Sequence, residues 1–105
     1  MYYRSFSEGS SNLPPVIKVW AWPEQDLREL ANHGLSRRVV LQVAHEAPKF
    51  RRNKRRRAAS HQMIGPDHGG RMWTICIGEV TGQPGIWRAR TGWPAEPEDV
   101  DWYGK

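Results

Sequence analysis

The spacing of apolar residues changes period once along this chain, and that change limits the fold more than any other feature. Between residues 23 and 47, apolar positions recur at helical intervals. Leu27, Leu30 and Ala31 form one stripe, and Val39, Val40, Val43 and Ala44 form another. From Ser60 onward the pattern becomes short apolar runs separated by Gly- and Pro-rich turns. Helices first and strands afterwards, with one further strand candidate at 16–22, imply helices packed on an antiparallel sheet.

Local signals place the boundaries. Pro23 and Glu24 open a helix that runs to Asn32, with acidic residues in its first turn and Gly34 as its stop. Ser36 is an N-cap candidate for a second helix over 37–47, which Pro48 ends. Strands are expected at 60–65, 71–80 and 86–93, joined by five-residue turns as a meander. A short helix over 94–103 closes the order β-α-α-β-β-β-α. The expected architecture is α+β: a curved antiparallel sheet of about four strands, two N-terminal helices packed on one face and a short C-terminal helix. Residues 1–15 read as a flexible polar arm. Residues 16–105 read as one domain, since 105 residues leave no room for a second core.

Charge is distributed unevenly. The chain carries 16 Lys+Arg against 11 Asp+Glu, a net +5. Seven of the nine residues over 49–57 are cationic (Lys49, Arg51, Arg52, Lys54, Arg55, Arg56 and Arg57), and without them nine cations face eleven acids. A concentrated block of this kind favours polyanions, because binding releases their counterions. Its bland counterpart is a solvated, self-repelling connector.

Other classes find little support. No apolar run approaches the ~20 residues needed to span a bilayer, and the N-terminal residues lack a secretory core, so a cytoplasmic setting is expected. The lone Cys76 lies in an apolar run and reads as a buried small hydrophobe. The four histidines, at 33, 45, 61 and 68, show no paired metal-ligand spacing, so neither metal nor cofactor is expected. Phosphate-loop, dinucleotide and nucleophile-elbow motifs are absent.

Alternation in the last strand carries functional information. Period two puts Trp87, Ala89, Thr91 and Trp93 on one face and Ile86, Arg88, Arg90 and Gly92 on the other. In the neighbouring strand, Trp73, Ile75 and Ile77 oppose Met72, Thr74 and Cys76. Two adjacent guanidiniums repel unless an anion, a carboxylate or solvent compensates them. On an open face they can grip phosphate; the alternative is pairing with Glu79, Glu96 or Glu98.

Three phrases together resemble the BrnT-type toxins of bacterial toxin–antitoxin modules, ribonucleases of the RelE/ParE-like fold. The first is Leu30-Ala-Asn-His33-Gly34-Leu35-Ser36 ahead of an apolar helix. The second is Ile64-Gly65-Pro-Asp-His-Gly-Gly70-Arg71 leading into a strand. The third is Trp87-Arg88-Ala89-Arg90-Thr91-Gly92, followed by Ala95, Glu98 and Tyr103. Three departures stand out. Asn32 replaces the family's Lys, Thr91-Gly92-Trp93 replaces Ser-Ala-Arg, and the Glu98–Tyr103 spacing is one residue longer.

The resemblance implies metal-independent cleavage of single-stranded mRNA, with the 2′-hydroxyl as nucleophile. Arg88 and Arg90, with Arg71 as a further clamp, would hold phosphate. His33, Glu98 and Tyr103 are the acid–base candidates, and histidine is the type that ordinarily titrates near neutrality. The 49–57 block would hold flanking RNA or dock an antitoxin through an acidic or ribbon-helix-helix segment, with no membrane partner. The alternative is a non-catalytic toxin-like protein that binds nucleic acid or a protein partner through its basic face.

Overall fold

In the computed structural model, which describes residues 14–54 and 59–105, the first helix starts and stops where local chemistry requires. This helix, α1 (Glu24–Asn32), has Pro23 as its N-cap and Glu24 and Asp26 in its first turn. It ends at Gly34, whose φ of 82° only glycine adopts cheaply. The Gly34 amide donates to the Ala31 carbonyl and the Leu35 amide to the Leu30 carbonyl, a Schellman closure that seats Leu30 and Leu35 together in the core. The second helix, α2 (Arg37–His45), starts from Ser36, whose hydroxyl accepts the Val39 amide at 3.3 Å.

Among the described residues, five strands and three helices form a mixed α+β fold. The strands are β1 (Val19–Ala21), β2 (Lys49–Arg52), β3 (His61–Pro66), β4 (Met72–Glu79) and β5 (Ile86–Pro94), and the third helix is α3 (Pro97–Tyr103). The sheet order is β1-β5-β4-β3-β2. The expectation of about four antiparallel strands is corrected twice. β1 pairs parallel with β5, the last strand of the sheet in the sequence, while the chain leaving the helices returns at the far edge as β2. The cationic block supplies the fifth strand, with Lys49 opposite Ile64 and Arg52 opposite His61. An edge strand tolerates such charge, and Phe50 gives it one inward anchor against the core.

One sheet face carries the core. Leu30, Val40 and Val43 of the helices meet Met63, Ile75, Ile77, Trp87 and Ala89 of the strands, all buried. Each fully buried side chain of this size contributes on the order of 1.5–3 kcal/mol. Among the described residues, the opposite face is covered only in part. There α3 lies over β2, β3 and β4, with Asp99 bonded to both Arg51 and Thr74. No described helix is long and apolar enough to cross a membrane. The arm expected at 1–15 falls almost wholly outside the described residues, as do Arg55, Arg56 and Arg57.

A β-bulge corrects the face assignment of β5. Ile77 pairs with Ala89 but Cys76 pairs with Thr91, so Arg90 is an extra residue. Beyond it the alternation inverts. Gly92, opposite Ile75, turns to the core, while Thr91 and Trp93 join Arg88 on the other face instead of sharing one with Trp87. A Cβ on Gly92 would sit 2.7 Å from Leu35 Cδ1, 3.0 Å from the Thr74 carbonyl oxygen and 3.3 Å from Ile75 Cα. Leu35 can shift, but the backbone atoms of β4 cannot. Gly92→Ala is therefore expected to cost about 1–3 kcal/mol, read from the urea midpoint. A change below about 0.5 kcal/mol would show that the strand can move aside.

Candidate catalytic cleft and nucleic-acid interface

The bulge and α1 together build a cleft. β1 covers only Ile86, Trp87 and Arg88 along the outer edge of β5. Past that point α1 runs beside β5, with Asp26 against Arg88 and Arg90, Glu29 against Thr91, and His33 near Trp93. α1 sends Leu30 into the core, while Asp26 and Glu29 meet the side chains of β5. There a cleft of about 790 Å³ opens, walled by Gln25, Asp26 and Glu29 of α1, Arg90, Thr91 and Trp93 of β5, Gln62 of β3 and Cys76 of β4. Asn53 and Ala59, on either side of the β2–β3 connection, close its far rim.

Asp26 dominates the electrostatics. It is 3% exposed, and its carboxylate accepts Arg88 Nε at 2.8 Å and Nη2 at 3.0 Å. Arg90 Nε lies 3.5 Å from the same group. The repulsion expected between the two arginines is thus relieved by a carboxylate, though by none of the three glutamates considered. Glu79 instead accepts the Gly85 amide at 2.7 Å. The bonds that Arg88 donates to Asp26 raise its pKa further and fix its side chain. Arg90 keeps a place on the cleft wall.

Glu29 is the group the sequence reading missed. It accepts the Thr91 hydroxyl at 2.8 Å and His33 Nε2 at 3.1 Å. The Thr91 bond first, and then the His33 bond, hold its pKa below the ordinary 4.5. The available signal was the four-residue spacing of Glu29 and His33, which puts both on one helix face. Burial raises the Cys76 thiol to about 11, so it sits in the cleft as a protonated, weakly reactive wall.

The other site candidates lie elsewhere. Glu98 and Tyr103 are on α3, and neither lines this cleft. The Tyr103 hydroxyl donates to the Ala47 carbonyl at 3.0 Å, whereas Glu98 borders a second cavity of about 470 Å³. That cavity is lined by Arg51, Arg52 and Lys54, together with Trp102, Asp99 and Lys105. Asn53 and Gln62 border both cavities. Lys49 Nζ donates to the Lys105 carbonyl at 2.9 Å and lies over the Tyr103 ring. Arg71 stacks over Trp73 in the β3–β4 hairpin, and neither cavity includes it. The sequence-predicted set thus splits into His33, Arg88 and Arg90 beside α1, and the basic strand with Glu98 and Tyr103 beside α3. Among the described residues, no cluster of three possible metal ligands occurs.

Comparison of the chain with protein-family models, with curated proteins and with solved structures gives no match.

Proposed function

We propose that the protein is a metal-independent endoribonuclease of the toxin type, acting on single-stranded RNA laid across the open half of the sheet. One observation carries this reading. Glu29 and the Arg90 guanidinium share a cleft that borders, at Asn53 and Gln62, a cation-lined cavity. RNA cleavage without a metal needs a base for the 2′-hydroxyl and a cation for the charge that gathers on phosphorus. Glu29 takes the 2′-hydroxyl proton, the 2′-oxygen bonds to phosphorus, and the bond to the 5′-oxygen breaks. Arg90 faces the phosphorane oxygens. His33, bonded to Glu29, returns a proton to the departing 5′-oxygen. Arg88 has a structural part: with Asp26 it fixes β5 to α1.

The BrnT-like phrases and the RelE/ParE-like fold they imply belong to the same proposal, as does a cytoplasmic toxin–antitoxin setting. The partner there is an antitoxin whose acidic or ribbon-helix-helix segment masks the basic edge. A second reading, a non-catalytic binder of nucleic acid or protein, is favoured by two observations. Asp26 holds Arg88 bidentately, and Trp93 stands where the family has arginine.

The test is incubation of the full chain with 5′-labelled single-stranded RNA in EDTA. Fragments ending in 2′,3′-cyclic phosphate are the expected result. Retention of RNA without fragments would move the assignment to the binder. No retention and no fragments would remove both.

A further inference from the structure

We propose that the smaller cavity beside α3 is a second nucleotide subsite, which stacks an unpaired base on Trp102 and holds its phosphate with Arg52 and Lys54. The cleavage chemistry rests on the reading above; the binding does not. Trp102 lines this cavity and is only half-buried. Arg51 lies over the ring, 4.8 Å from its centre, and is pinned there by Gln62 at 2.8 Å and by Asp99. Asp99 also accepts the Thr74 hydroxyl at 2.9 Å, so its carboxylate is engaged by Arg51 and Thr74, and Glu98 is the other acid on the cavity wall. Arg52 and Lys54 are exposed at the rim. An aromatic wall flanked by cations is the pairing that single strands use, base on ring and phosphate on cation.

Adjacency to the first cleft favours RNA over an acidic protein segment. Gln62 and Asn53 form the border between the two cavities, so a strand with its scissile phosphate at Arg90 has its neighbouring nucleotides directed toward Trp102. The substrate is then an unpaired run longer than a dinucleotide, and duplex RNA is excluded because its bases cannot leave the stack to reach the ring.

The test uses the full chain and a labelled eight-nucleotide RNA carrying 2′-O-methyl groups, which cannot be cleaved. Trp102→Ala is expected to weaken its binding about tenfold or more, while Trp102→Phe holds it within about threefold. Removing Arg52 and Lys54 is expected to flatten the salt dependence by about 0.7 units of slope each. In Trp102→Ala, kcat/KM for an octanucleotide should fall by a larger factor than kcat/KM for a dinucleotide. If the wild type cleaves nothing but Trp102→Ala still weakens binding, the subsite stands and the ribonuclease reading falls. The subsite is overturned if folded Trp102→Ala binds the octamer like wild type. It is equally overturned if the variant loses affinity for a polyglutamate peptide but not for RNA.

Discussion

Replacing Asp26 with alanine is expected to destabilise the fold by about 3–5 kcal/mol, the loss typical when one member of a buried ion pair is removed. Arg88 is only 21% exposed and Arg90 only 30%, so without Asp26 two like charges remain close together and poorly solvated. A domain of this size has about 5–15 kcal/mol in total, so the variant would sit near its unfolding threshold. The measurement is a urea midpoint with unchanged slope. A second variant separates the charge from the shape. Arg88→Met in the Asp26→Ala background removes one stranded cation, and a substantial part of the lost stability should return. If Asp26→Ala costs under about 1 kcal/mol, the carboxylate behaves as a surface partner, and the account of β5 clamped to α1 fails.

That clamp also marks where the sequence stops being readable. The helices were legible because their determinants are local: Ser36 caps three residues away, and Gly34 closes a turn onto Ala31 and Leu30. The partner of Arg88 is 62 positions distant, and no periodicity points to it. The basic strand was hidden for a different reason. Its charges fit a solvated connector as well as an edge strand, and only pairing with β3 decides between them.

The bulge at Arg90 shows how one residue defeats a sound rule. Period two was the right rule for β5 up to Ala89, and the extra residue inverted every face beyond it. A signal was present in Gly92, since a glycine inside a strand often marks a bulge or a close approach. Its close neighbours, Leu35 and the β4 backbone, are the approach in question. The consequence is functional. Inversion carries Thr91 to the side where it bonds Glu29, and so produces the carboxylate environment on which the cleft depends.

Glu29→Gln is the variant with the largest expected effect on function. A general base contributes about 10²–10⁴-fold, and glutamine has nearly the same shape, so kcat/KM for RNA should fall by that factor while binding of an uncleavable RNA changes little. Arg90→Ala should lower the rate by about 10²–10³-fold, the usual loss when one preorganised donor to a charged transition state is removed. Tyr103→Phe, far from the cleft and engaged with Ala47, should cleave at the wild-type rate. The pH profile provides a further check. The Thr91 and His33 bonds lower the Glu29 pKa, so the base stays ionised to below pH 4.5, and activity is lost as pH falls through that lowered value. Thr91→Val removes the larger of the two causes, so its acid limb should move up toward 4.5, with the folded fraction followed in parallel. Cleavage by Glu29→Gln at the wild-type rate would remove Glu29 from the chemistry. An acid limb unmoved in Thr91→Val would mean that another group controls it.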